Sequence, residues 1–149
     1  MTTLLLRVLE RVHGHLGWFA VAALLHPAIV LSNPKRRARL AVALSAGLAA
    51  TTGALGAVIY PPYRDRIKQH IFLDAPRVGW LFERKEHLAV GAITLALVGC
   101  VSHLCLPLVT DPAMKEAFAR LAHRAFVGAA VLAVIVACLG AAVASFRTF

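Results

Sequence analysis

Four long stretches without a single Asp, Glu, Lys or Arg alternate with short, strongly charged connections. They are Gly14–Leu31 (18 residues), Leu40–Tyr60 (21), Leu88–Val109 (22) and Ala125–Phe146 (22). A helix rises ~1.5 Å per residue, so about 20 apolar residues cross a ~30 Å hydrocarbon layer. Each stretch is therefore predicted to span a membrane, with spans at about 14–31, 40–60, 88–109 and 122–146. The chain is read as all-α: a four-helix transmembrane bundle, up-down-up-down, in one integral membrane domain over residues 1–149.

The residues between the runs predict where helices start and stop. Leu5, Leu6, Leu9 and Val12 recur at helical spacing and predict an amphipathic lead into the first helix. Pro27 lacks a backbone donor and predicts a kink near His26. Ser32-Asn33-Pro34 offers capping side chains and then a proline suited to a first helical position. The second helix is thus expected over about 34–60, with Pro61-Pro62 as its stop. Tyr63, Ile67, Ile71 and Phe72 against Arg64, Arg66 and Lys68 predict a short amphipathic helix on the membrane surface between helices 2 and 3. Asp74 and Pro76 restart a helix that enters the third span, and Thr110-Asp111-Pro112 opens the fourth at 112. The first run has no small-x-small cleavage site and is expected to be retained.

Two stripes of small residues predict tight seams between helices. One is Ala129, Ala133, Ala137, Ala141 and Ser145; the other is Ala46, Ala49, Gly53 and Ala57. They are expected inside the bundle, with a homo-oligomer face as the alternative.

Composition agrees with the membrane reading: 60% of residues are apolar and 15% charged, against about 25% charged in soluble domains. The net charge of +9 must then sit in loops and tails. Contact with anionic headgroups of the bilayer explains it better than nucleic acid, for which no recognition motif is present. Cys100, Cys105 and Cys138 all fall within runs, odd in number and without C-x-x-C spacing. No disulfide, zinc site or iron–sulfur cluster is expected.

Call the face with the 1–2 and 3–4 loops side A and the face with both termini side B. Side A carries seven basic residues and side B nine, so the count does not orient the chain. The dense cluster Lys35–Arg39 in the shortest loop favours a cytoplasmic side A. The expected setting is a bacterial cytoplasmic membrane.

Seven histidines lie in or near the runs, and an ionisable group in a span is a functional signal by default. His15 and His26 are eleven residues apart, close to three turns, and so share a face of helix 1. His87 matches His15 in depth; His103 and His123 match His26. Haem iron in a membrane cytochrome is held by imidazoles converging from two helices. Gly91 and Gly99 stand one turn from His87 and His103 and would give a macrocycle room, and Glu83 is placed to fix the His87 tautomer. His87 and His103 are sixteen residues apart, roughly 160° around the helix, so a second haem would pair His26 with His123. The competing reading is a plain interhelical hydrogen bond for the buried imidazoles and an interfacial place for His13, His70 and His123.

The stretches His15-Leu16-Gly17-Trp18 and Gly79-Trp80-Leu81-Phe82-Glu83-Arg84-Lys85 resemble small four-helix, haem-associated membrane families of the HemJ/CopD type. The resemblance covers about forty residues; residues 61–86 as a connection, and helix 4, depart from it. It implies haem b, with His15 as a ligand and Lys85 as a supporting residue. The function expected first is therefore a b-type haem protein for electron transfer, with quinone as a partner. A non-catalytic anchor or subunit of a larger membrane complex is the first alternative. A small membrane enzyme on a lipophilic substrate is the second, and it lacks the Arg/Asn-rich second helix of the glutathione-linked enzymes of this size. No phosphate-binding loop, zinc-protease or catalytic-triad pattern occurs.

Overall fold

The computed structural model describes residues 2–33, 36 and 38–146. Its helices are α1 (Thr3–Val30), α2 (Arg39–Tyr63), α3 (Gln69–Asp74), α4 (Pro76–Cys105) and α5 (Pro112–Ala144). A π-turn, Arg64–Lys68, joins α2 to α3, and a 3₁₀ turn, Leu106–Leu108, closes α4. No strand occurs among the described residues. Three continuous helical stretches, Arg39–Asp74, Pro76–Leu108 and Pro112–Ala144, are long and apolar enough to cross a membrane. At 28 residues α1 has the length, but His13, His15, His26 and Pro27 make its apolar stretch more polar.

Capping chemistry sets several boundaries. The Thr2 hydroxyl accepts from the Leu5 N–H at 3.4 Å. The Asp111 carboxylate accepts from Ala113 and Met114 at 3.2 and 3.3 Å, with Pro112 just inside, as the sequence predicts. Pro76 likewise opens α4. The predicted start at Pro34, and the charges of Lys35, Arg37 and Arg147, lie outside the described residues.

Pro61 and Pro62 do not stop the second helix; both lie inside α2. Each removes one i→i−4 bond, and the ladder loosens into the π-turn immediately after them before tightening again in α3. The expected separate surface helix is instead the far end of one 36-residue rod, Arg39–Asp74. This end folds against the first turns of α4. Phe72 packs so closely on Gly79 that a β-carbon there would meet its ring at 2.8 Å. Tyr63 stacks on Phe82 with centroids 4.6 Å apart, and Phe72 meets Trp80 edge-on at 5.8 Å.

α1 packs on α2 and α5, and α4 packs on α2 and α5, so α1 and α4 sit diagonally. The core has two parts. Toward side A, Leu24, Val42, Ala46, Ala96, Ala122, Phe126 and Ala129 pack together. Toward side B, Tyr63, Ile67, Ile71, Val78, Phe82 and Val143 form a second cluster. Ala46, Ala49 and Ala129 of the predicted stripes are buried, but Ala57, Ala141 and Ser145 are exposed. In the α5 stripe, fourfold spacing overshoots a 3.6-residue turn by ~40° at each step, so that stripe winds off the seam after three steps. At the side B end its place is taken by Ile59 and Val143.

Pro27 leaves the Ala23 carbonyl without its helical donor, and α2 supplies one. The buried Ser45 hydroxyl lies 2.7 Å from Ala23 O and 2.7 Å from Ala41 O, and its single proton is shared between them. Ser45→Ala is expected to lower stability by about 1–3 kcal/mol by leaving a buried carbonyl unpaired. In a Pro27→Ala background, residue 27 regains its own N–H and the same change should cost much less. Thermal unfolding of the four variants in detergent reads this coupling, and equal losses in both backgrounds would refute it.

Candidate functional site

Between the two apolar cores the bundle carries a polar layer built from α1, α2 and α4, with α5 packed against it at Gly140. His13 reaches from α1 to α2, its Nδ1 donating to the Thr52 carbonyl at 3.1 Å. A carbonyl only accepts, so a neutral His13 keeps its proton on Nδ1 and presents Nε2 with a lone pair. The ring fits because α2 carries glycine opposite it. A β-carbon at Gly56 would stand 3.0 Å from His13 Cε1.

Lys85 comes from α4. Its Nζ lies 4.5 Å from the centre of the Phe82 ring, and its stem runs past Gly140 of α5, where a β-carbon would be 3.7 Å from Cδ. Glu86 and Glu10 lie within electrostatic reach of Lys85, and Lys85 within reach of His13. These groups precede the apolar runs that begin at Gly14 and Leu88. Burial lowers the Lys85 pKa against the opposing pull of Glu86 and Glu10. Burial also lowers that of His13, with Lys85 adding to it and the Thr52 hydrogen bond opposing. Burial raises that of Glu86, against Lys68 and Lys85. The layer thus disfavours the charged form of each of these three groups.

A second set of contacts closes this layer toward side B. Lys68, on the π-turn, forms an ion pair with Glu83 and donates to Tyr60 Oη at 3.0 Å. Tyr63 and Phe82 stack beside it, each 7% exposed. Glu83 turns to Lys68 across the hairpin, because the antiparallel rod brings that ammonium alongside. The proton that Glu83 was expected to take from His87 goes to its backbone instead: His87 Nδ1 donates to Glu83 O at 2.8 Å, the carbonyl one turn back.

The histidines assigned to iron fall into different surroundings. His13 faces α2, and His15, two residues and ~200° further round α1, is exposed with Nδ1 bonded to Arg11 O at 2.7 Å. His26, nearly three turns on, shares that exposed face. His87 stands in the same relation to Lys85 and is exposed. His103 is buried, and its Nε2 takes the Ala38 N–H at 3.4 Å, tying α4 to the start of α2. His123 is half-buried, and its Nδ1 has no hydrogen-bond partner among the described residues. The room expected at Gly99 and Gly91 is occupied by α5. A β-carbon at Gly99 would meet Phe126 at 2.8 Å, and one at Gly91 would meet Leu132 at 3.3 Å. The described residues also contain no group of three or more His, Cys, Asp or Glu able to hold a metal ion. Phe126 and Leu132 thus fill the space beside Gly99 and Gly91 that a macrocycle between α4 and α5 would need.

Depth alone singled out His15 and His87, and missed His13, Glu10, Glu86 and Tyr63. One signal was available. Lys85-Glu86-His87 stands at the mouth of a helix packed on two neighbours, and successive residues turn ~100°, so at least one of the three must face inward. No family model matches the sequence, and no curated protein or solved structure matches it either.

Proposed function

We propose that this chain is a four-span, up-down-up-down membrane protein that takes the polar head of a lipophilic substrate into the layer around His13 and Lys85. Interhelical contacts support the four-span plan: Ser45 meets Ala23, Gly53 meets Ile93, and Gly99 meets Phe126, each the pairing of antiparallel neighbours. The observation that carries the functional reading is the fixed His13 tautomer. It leaves a proton-accepting Nε2 near a half-buried ammonium, two carboxylates and a phenol, at the edge of the hydrocarbon. His13 then serves as base, Lys85 as the cation that steadies negative charge, and Glu10 and Glu86 as its counter-charges. The lipophilic part of the substrate stays in the bilayer.

The test is what the protein carries out of the membrane. Wild-type protein purified in mild detergent should retain a lipophilic small molecule, seen by native mass spectrometry. His13→Gln and Lys85→Gln should each lose it, while Ser45→Ala, in the side A half, keeps it. Identical spectra for all four would overturn the reading. The same samples address electron transfer: a stoichiometric Soret band would favour a b-type haem held by these imidazoles instead. We expect no such band.

A further inference from the structure

We infer that the cleft along the rod beyond α2 is a binding site for an anionic phospholipid. The inference rests on the substrate-binding reading above only for the substrate's route of entry; the lipid site is tested separately. The cleft is lined by Tyr60, Arg64, Lys68, Gln69, Phe72 and Leu73, with a volume of about 640 Å³. The lining is an aromatic and aliphatic wall with basic heads, the composition that suits a phosphate joined to acyl chains.

Depth supports that occupant. Tyr60 ends the second apolar run, so Arg64, four residues on, stands ~6 Å beyond the hydrocarbon edge. Headgroups occupy a layer of roughly 5–8 Å on each face of the hydrocarbon. Arg84, four residues before Leu88, and Arg11, three before Gly14, reach similar heights on α4 and α1 and are exposed. Three helices thus present a guanidinium at phosphate level on side B.

Charge also points to an anion. Lys68 is committed to Glu83 and Tyr60. Among the described residues Arg64 has only the exposed Asp65 carboxylate at 3.8 Å, a solvent-screened pair of little strength. Its side chain is 66% exposed and open to a phosphate. Tyr60 and Phe72 bring rings of the kind that settle in the interfacial belt. The cleft also touches the Lys68–Glu83–Tyr60 contacts that close the polar layer, so a lipid seated there adjoins the proposed substrate entrance.

The full-length protein in detergent is titrated with phosphatidylglycerol, phosphatidylcholine or inorganic phosphate and followed by native mass spectrometry and thermal unfolding. Phosphatidylglycerol should be retained and should raise the unfolding temperature; phosphatidylcholine and free phosphate should do neither. Arg64→Gln should weaken phosphatidylglycerol binding about fivefold, as expected for one basic contact at a membrane surface. Arg36→Gln, on side A, should leave it unchanged. Equal retention of the two lipids, the same effect from free phosphate, or no change on Arg64→Gln overturns the site. If Arg64→Gln changes nothing while His13→Gln still strips the bound molecule, the lipid site fails and the substrate reading stands. The converse result removes the substrate reading alone.

Discussion

Gly99→Leu is expected to yield no folded protein, and Gly99→Ala to lose about 1–3 kcal/mol, the usual cost of overpacking a tight core. A β-carbon at this position would lie 2.8 Å from Phe126 Cδ2, 3.0 Å from Cε2 and 3.2 Å from the Ala122 carbonyl oxygen. Neither neighbour yields easily. Phe126 is fully buried among Leu24, Val42 and Ala96, and Ala122 O belongs to the α5 backbone. The close approach of α4 to α5 therefore depends on a missing side chain, as helix pairs in lipid commonly do. Gly53 makes a useful contrast. Its β-carbon would meet only the tip of Ile93, and a flexible tip can turn away. Gly53→Ala should be milder than Gly99→Ala. Phe126→Leu should restore part of the loss in Gly99→Ala while itself destabilising the wild type. Unfolding temperatures in detergent decide this, and additive losses would show that Phe126 is not the obstacle.

Runs of 18 to 22 residues without charge announced the long helices, because desolvating a charge in hydrocarbon outweighs any local preference. The Asp111-Pro112 start could be read because capping is settled by neighbours in the chain. Pro61-Pro62 was misleading because a helix can lose two donors and continue through a π-turn when its far end is held by packing, here Tyr63 on Phe82 and Phe72 on Gly79. The site was missed for a rotational reason. Depth follows from counting residues, but facing depends on which neighbour a helix meets. His13 and His15, or Lys85 and His87, differ by only ~3 Å in height and by ~200° in direction. Nothing within α1 itself tells that Gly56 of α2 opens a place for one ring and not the other.

Facing also decides the second large effect, Lys85→Met. The ammonium lies between Phe82 and Gly140, within reach of Glu10 and Glu86. Methionine keeps the stem and removes the charge, leaving Glu10 without this cation and Glu86 with Lys68 as its remaining one. Breaking a buried ion set by deleting one member costs about 3–5 kcal/mol when burial is complete. Lys85 and Glu86 are only partly covered, so solvent screening brings the expectation to about 2 kcal/mol. The sign of the pH dependence follows from Glu86. Burial holds its pKa above the ordinary carboxylate value, and losing Lys85 raises it further. A carboxyl with a raised folded-state pKa destabilises the fold at neutral pH, and the penalty fades as pH falls through that pKa toward the unfolded value near ~4.3. The deficit of Lys85→Met relative to wild type should therefore shrink as the pH is lowered from neutrality. Lys85→Met combined with Glu86→Gln should recover most of the loss at pH 7. A deficit constant with pH, together with no gain in the double variant, would mean that Lys85 acts through its aliphatic stem alone. The polar layer would then be packing rather than a charge-balanced site.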